Sequence, residues 1–211
     1  MSIIRLNDLL CNSYGSPMAR DRNGHKQEVF LSQGSLDGAC GIYCLAMGLL
    51  MLGLSDREQI DSSTGMHGNT RTARLLKATS RHGPFVQKGT SLKDLQKDLK
   101  STCGDKVPCE AVFDIPGTKI RRFVERKIDS NRPVILGVEW ADGAHWILVV
   151  GIEYDDETMQ YPKRLLLLDP DGPEPDMCSW NGAIEAVGTG GHYPYRWPGH
   201  SKVGFFAALS M

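Results

Sequence analysis

The stretch Gly41-Ile-Tyr-Cys44-Leu-Ala-Met-Gly-Leu-Leu-Met-Leu-Gly-Leu54 is apolar on nearly every side of a helical projection, and Ser55-Asp56 supplies a polar stop. Helices that are hydrophobic all round lie buried in the centre of a domain. The stretch therefore predicts a central buried helix over 41–54. Charged residues on one side and Leu, Ile or Phe on the other predict further helices over 56–62, 70–81, 91–100 and 117–129.

The second half of the chain changes from helical to extended patterning after the turn signal Asn131-Arg-Pro133. Apolar runs predict short, buried strands over 134–139, 146–152, 165–168 and 203–208. The connections Ala141-Asp-Gly143 and Tyr154-Asp-Asp-Glu157 have the composition of hairpin turns. The strands are therefore expected to form an antiparallel meander.

These elements predict an α+β fold in which a helical lobe packs on an antiparallel sheet lobe. The 211 residues are enough to bury a sizeable core, and we expect a single domain over 1–211. Its expected parts are an irregular lead-in over 1–30, which is polar and rich in turn formers, a mainly helical lobe over 31–130 and a mainly β lobe over 131–211.

Composition argues against several classes of partner. A formal net charge of −1 gives no field that would attract nucleic acid or an anionic membrane. No apolar run approaches the roughly 18 residues that span a bilayer, and the N-terminus lacks the regions of a secretory signal.

Without such a signal, the six cysteines are expected to be reduced thiols. No CxxC pair occurs, so we expect no structural zinc site.

Two distant segments carry the residues of a cysteine nucleophile site. Cys40 directly precedes the apolar stretch, where the N–H groups of a first helical turn and the positive end of the helix dipole favour a thiolate. His145 begins an apolar strand after Gly143-Ala144, which places its imidazole at the rim of the sheet. Cysteine nucleophiles need such a base nearby. Cys40 is therefore the candidate nucleophile and His145 the candidate base.

Two polar residues complete the candidate site. Asp169 follows the strand over 165–168 and precedes a proline, so in a simple hairpin register its carboxylate lies at the same edge as His145. A carboxylate there would accept the second N–H of the ring and hold its tautomer. Gln33 lies upstream of Cys40, and its side-chain N–H, together with the Cys40 backbone N–H, would hold a developing oxyanion.

Each of these residues also has a structural interpretation. Taken alone, a cysteine such as Cys40 is more often a small buried hydrophobe than a nucleophile. A histidine such as His145 is as often structural as functional. An Asp-Pro pair after a strand is usually a turn. Cys44, one helical turn after Cys40, is assigned to the core. The combination favours catalysis, because cysteine, histidine and aspartate occur in a workable order at the ends of suitable elements.

An aromatic stretch rich in Gly and Pro over 190–199 has two interpretations. It is either a long surface loop or a rim of the substrate cleft, in which Tyr193, Tyr195 and Trp197 grip an extended peptide.

Three residues beside the candidate histidine are also ambiguous. Trp140 and Trp146 either shield the thiolate and imidazolium from water or belong to the core. Asp142 competes with Asp169 to orient His145, but it is so near to the histidine in sequence that Asp169 is preferred.

These motifs resemble those of papain-like cysteine peptidases, and most of all the bacterial peptidases that remove bacteriocin leaders after a double glycine. The resemblance is carried by Gln33, Asp37-Gly-Ala-Cys40-Gly41, His145-Trp-Ile-Leu-Val-Val-Gly151 and Leu165-Leu-Leu-Leu-Asp169-Pro170. It implies a papain-like fold with Cys40 as nucleophile and His145 as general base and acid. It further implies Asp169 as the orienting residue and Gln33 as an oxyanion donor.

The expected activity is hydrolysis of a peptide or amide bond through an acyl-enzyme, with a protein or peptide as substrate and no cofactor. A deamidase or transglutaminase-like acyltransferase would use the same triad. A catalytically inactive binding module would keep the fold with an unreactive Cys40. Fold analogy leaves two biological roles open. The first is a toxin or effector that is delivered into a target cell and accompanied by an inhibitor or immunity protein. The second is a cytoplasmic housekeeping role.

Overall fold

The computed structural model describes residues 2–33, 38–61, 70–80, 89–197 and 199–211. These residues form helices and antiparallel strands, which confirms the predicted mixed helix-and-sheet class. Asp37 and the last residues of the helices predicted over 56–62 and 70–81 lie outside the described residues.

Every predicted helix and strand has a counterpart within a few residues of its predicted bounds. The helices are α1 (Cys40–Met51), α2 (Arg57–Asp61), α3 (Arg71–Ser80), α4 (Leu92–Cys103) and α5 (Gly117–Asp129). The strands are β1 (Ile3–Leu6), β2 (Cys11–Ser13), β3 (Ser16–Arg20), β4 (Lys26–Glu28), β5 (Glu110–Phe113), β6 (Val134–Trp140), β7 (Gly143–Tyr154), β8 (Pro162–Leu168), β9 (Gly182–Glu185), β10 (Tyr193–Trp197) and β11 (Gly199–Ser210).

Six of the described strands close into a ring. β6, β7 and β8 pair in succession as antiparallel neighbours, as the predicted meander requires. β8 pairs with β9, β9 with β10 and β10 with β11, and β11 returns to pair with β6. Alternate residues of a strand point to opposite faces, and every strand of the ring contributes to one apolar cluster, which also includes the buried face of α5. This cluster fills the interior of the ring.

Helix α1 packs on the opposite face of β7. Alternate β7 residues such as Trp146 and Leu148 belong with α1 to a second apolar cluster. Every residue of α1 except Tyr43 is buried, which explains why the sequence is apolar all round. Gly41 permits this close packing, because a Cβ atom added there would lie 3.1 Å from the Leu95 Cδ2 atom and 3.1 Å from the Trp146 Cδ1 atom.

The irregular lead-in predicted over 1–30 is wrong, because this segment contains β1 to β4. β1 pairs with the second half of β7, and β2, β3 and β4 form a separate sheet. The turn formers of the segment close hairpins: Tyr14 and Gly15 between β2 and β3 have φ angles of 54° and 90°, as two-residue hairpin turns require. β5, β9 and β10 were also not predicted from the sequence.

Candidate active site

Helix α1 begins at Cys40, so the thiol lies at the N-terminal end of a buried helix. The N–H groups and partial positive charge of a helix N-terminus favour an anion beside it. The residue is 6% exposed, and its Sγ atom accepts a hydrogen bond from the backbone N–H of Trp146 at 3.4 Å. The sulfur therefore has a backbone hydrogen-bond donor and lies beside a helix N-terminus, and both favour a thiolate.

His145 lies near the start of β7, and its side chain is 12% exposed. Its Nε2–H donates to Asp169 Oδ1 at 2.7 Å, so Nδ1 is left for Cys40, the second side chain that hydrogen-bonds the ring. Burial lowers the pKa of His145, but the hydrogen bonds and charges of Asp169 and Cys40 outweigh this effect and raise the pKa to about 10. These neighbours therefore favour the imidazolium form of the ring.

Asp169 directly follows β8, and its side chain is 2% exposed. Its Oδ1 atom accepts from the Asp171 backbone N–H at 2.9 Å as well as from His145. The Tyr195 hydroxyl donates to the other oxygen, Oδ2. Burial and the charge of Asp169 raise the pKa of Tyr195 well above its ordinary value, so the phenol remains a donor. The buried carboxylate thus has the cation and the donors that such a charge requires.

The backbone of Asp169 is held by Asn181, in the loop between β8 and β9. Asn181 Oδ1 accepts from the Asp169 N–H at 2.7 Å, and its Nδ2 donates to the Asp169 carbonyl at 2.8 Å. The same Nδ2 donates to the Pro173 carbonyl at 2.9 Å. No pattern in the sequence indicates this role, because an asparagine in a polar loop is ordinary.

Gln33 is half-buried and precedes a segment outside the described residues. Its backbone N–H donates to the Pro170 carbonyl at 2.8 Å, which fixes the chain before α1 beside the residue that follows Asp169. Its Oε1 atom is buried and has no hydrogen-bond partner in the described part of the chain. Gln33 therefore lies beside the Asp169–Pro170 segment. Among the described residues, it makes no hydrogen bond to Cys40.

Trp146 connects both cysteines of α1 to β7. Its N–H reaches Cys40, and its carbonyl accepts from the Cys44 thiol at 3.3 Å. Its indole N–H donates to the Thr90 carbonyl at 2.7 Å, and the residue is buried. Cys44 is also buried, and burial, followed by the charges of Cys40 and Asp169, raises its pKa well above the ordinary value. Cys44 and Trp146 are therefore core residues beside the candidate nucleophile.

The aromatic stretch near the C-terminus forms neither a surface loop nor a cleft rim at its two tyrosines. Tyr193 and Tyr195 lie on β10 and are 2% and 5% exposed, and both belong to the cluster inside the ring. Both interpretations from the sequence are wrong for them. The Trp197 side chain lies outside the described residues.

The other residues near the histidine have different environments. Trp140 is 44% exposed, so it is not part of the core. Asp142 is exposed in the turn between β6 and β7. The carboxylate that hydrogen-bonds His145 is that of Asp169.

No helix among the described residues has the length and apolar character needed to cross a membrane. Those residues also contain no group of three or more His, Cys, Asp or Glu side chains that would hold a metal ion.

No protein-family model and no curated protein matches this chain. Among solved structures, it is similar to the crystal structure of UfSP from C. elegans, with a TM-score of 0.45 and 14% sequence identity. The alignment covers 99% of this chain and 36% of that one, so this chain spans about a third of the length of its structural neighbour. At this similarity, the geometry of the site rather than the alignment indicates the function.

Proposed function

We propose that this chain is a papain-like cysteine peptidase, a thiol hydrolase that cleaves a peptide or amide bond through an acyl-enzyme. The observation that carries the proposal is the row Cys40, His145, Asp169, in which one imidazole hydrogen-bonds both a thiol and a buried carboxylate. Cysteine nucleophiles are activated by a base of this kind, which a third group orients. The N-terminus of α1 beside the sulfur supports the same role.

The proposed reaction begins with the Cys40 thiolate paired with the His145 imidazolium. The sulfur attacks the carbonyl carbon of the scissile bond, a C–S bond forms, and the carbonyl electrons move to the oxygen. The Cys40 backbone N–H and the Gln33 side-chain N–H are the proposed donors to this oxyanion. The hydrogen bond from the Gln33 backbone to Pro170 supports this role, because it fixes Gln33 next to the catalytic row.

His145 then acts as the general acid. Its Nδ1 proton passes to the leaving nitrogen as the C–N bond breaks, which leaves a thioester on Cys40 and a neutral imidazole. Nδ1 next takes a proton from a water molecule that attacks the thioester. The C–S bond breaks and the thiolate and imidazolium are restored. Asp169 accepts from Nε2 throughout, which keeps Nδ1 directed at the sulfur.

Product mass tests this proposal. The full chain is incubated with a peptide mixture that includes peptides with a double glycine, because the sequence resembles leader peptidases, and the products are analysed by mass spectrometry. A peptidase gives two fragments whose masses sum to the mass of the substrate plus one water. A deamidase or an acyltransferase leaves the peptide uncut and changes a side-chain amide.

Cys40→Ala removes the proposed nucleophile and is expected to abolish product. Cys44→Ala is the matched control, because it makes the same chemical change one helical turn later at a core thiol. Cleavage that persists in Cys40→Ala, or amide conversion without cleavage in the parent chain, would refute the peptidase proposal. Trapping of the parent by a peptide aldehyde, but not of Cys40→Ala, would separate an enzyme from a binding module.

A further inference from the structure

We infer that Tyr195 is a positioning residue for the proposed reaction: its hydroxyl holds the Asp169 carboxylate in the plane that faces His145. The inference rests on the proposed function and goes beyond it, because it assigns a role to a residue outside the row of cysteine, histidine and aspartate. Tyr195 lies 26 residues after Asp169 in sequence, on a strand that does not pair with β8 directly.

The two oxygens of Asp169 have different partners. Oδ1 accepts from the His145 Nε2–H at 2.7 Å and from the Asp171 N–H at 2.9 Å. Oδ2 accepts from the Tyr195 hydroxyl. The last torsion of an aspartate side chain is soft and has broad minima. Rotation about this torsion moves Oδ1 away from its two donors, and the donor at Oδ2 opposes that rotation from the other end of the carboxylate.

The remaining contacts of this residue act on its backbone. Asn181 hydrogen-bonds the N–H and the carbonyl of Asp169, and these contacts place the Cα atom without restricting the terminal torsion. Among the described residues, the Tyr195 hydroxyl is the group that hydrogen-bonds Oδ2. Both side chains are buried, so water competes little for this bond, and hydrogen bonds to a charged acceptor in such surroundings are strong.

Tyr193 provides a matched control. It lies two residues earlier on β10, is equally buried, and stacks on Phe205 with ring centroids 4.2 Å apart and an interplanar angle of 4°. No hydrogen bond joins it to Asp169 within the described residues. Tyr193→Phe therefore makes the same chemical change on the same strand without touching the carboxylate.

The ionisation of His145 reports the position of the carboxylate. The titratable groups around the site are Cys40 and Cys44 from α1, Asp169 and Asp171 from the loop after β8, and Tyr195 from β10. In Tyr195→Phe the carboxylate rotates, its hydrogen bond to His145 weakens, and the pKa of His145 falls. We expect a fall of about one unit, a tenfold change in the ionisation equilibrium.

The sign of this change distinguishes positioning from simple charge sharing. If the hydroxyl only drew negative charge away from the carboxylate, its loss would leave more negative charge beside His145. The pKa of His145 would then rise in Tyr195→Phe.

The test is an NMR titration of the histidine rings in the full chain, with the His145 signal assigned by its loss in His145→Gln. We expect the pKa of His145 to fall in Tyr195→Phe and in Tyr195→Leu, and to stay unchanged in Tyr193→Phe. In an Asp169→Asn background, Tyr195→Phe should have no further effect, because the hydroxyl acts through the carboxylate.

A rise or no change in Tyr195→Phe, or an equal fall in Tyr193→Phe, would overturn the inference. A His145 pKa near 6.5 in the parent chain would instead refute the proposed ion pair itself. The parent titration therefore separates failure of the proposed function from failure of the role of Tyr195.

Discussion

Asp169→Asn keeps the shape of the side chain and removes the negative charge beside His145. The pKa of His145 is raised from 6.5 to about 10 against the effect of burial, first by Asp169 and then by Cys40. In the unfolded chain a histidine titrates near 6.5. The imidazolium therefore stabilises the fold fully below about pH 6.5, and this contribution is lost as the pH rises towards about 10.

The size of the effect follows from the difference between these two pKa values. At about 1.4 kcal/mol per pKa unit, the interval from 6.5 to about 10 corresponds to about 5 kcal/mol. No large reduction for solvent screening is needed, because the side chain is 12% exposed. Asp169 leads the groups that raise the pKa, so Asp169→Asn should lower the His145 pKa by about two units, equivalent to about 3 kcal/mol.

Urea unfolding of the parent chain and Asp169→Asn at a series of pH values from 6.5 to 10 measures this quantity. Other groups titrate in the same range, so the informative value is the difference between the two proteins in free energy of unfolding. We expect this difference to shrink by about 2 kcal/mol across the range, because the parent loses its ion pair as His145 deprotonates. Parallel curves over the whole range would refute the reasoning.

Three other substitutions test contacts that support the site. Asn181→Ala leaves the N–H and carbonyl of Asp169 unpaired, and urea unfolding should show a loss of about 1–3 kcal/mol. Gly41→Ala places a methyl group 3.1 Å from Leu95, and a similar loss of about 1–3 kcal/mol should lower Tm. Cys44→Ala should lose about 1 kcal/mol without changing alkylation of the Cys40 thiol. Wild-type stability in the first two, or slowed alkylation in the third, would contradict these assignments.

The predictable part of the fold is local in sequence. Helix α1 could be predicted because a buried helix must be apolar on every side. β6, β7 and β8 could be predicted because each contains an apolar run and pairs with the next strand along the chain. The closure of the ring from β11 to β6, and the addition of β1 to β7, join strands that are distant along the chain. Such pairings leave no local pattern.

In the candidate site, too, the contacts that are local in sequence could be predicted and the distant ones could not. Leu148 of β7 pairs with Leu168 of β8, so the hairpin itself brings Asp169 to the edge where His145 lies. The contact from Tyr195 requires β9 and β10 to continue the ring, which neighbouring residues do not indicate. The alternation of Tyr193 and Tyr195 is a signal for a half-buried strand, but the flanking Gly and Pro residues made the segment resemble a loop.

The pairing of the Cys40 thiolate with the His145 imidazolium is the central claim, and the pH dependence of iodoacetamide alkylation tests it most directly. The modified residue is located by peptide mass spectrometry in the parent chain and in His145→Ala. Cys11, an exposed thiol, serves as the internal control for the reactivity of the reagent at each pH. We predict fast alkylation of Cys40 that persists to about pH 5–6 in the parent and is lost in His145→Ala. Slow alkylation with the profile of an ordinary thiol, or equal rates in the two proteins, would contradict the claim.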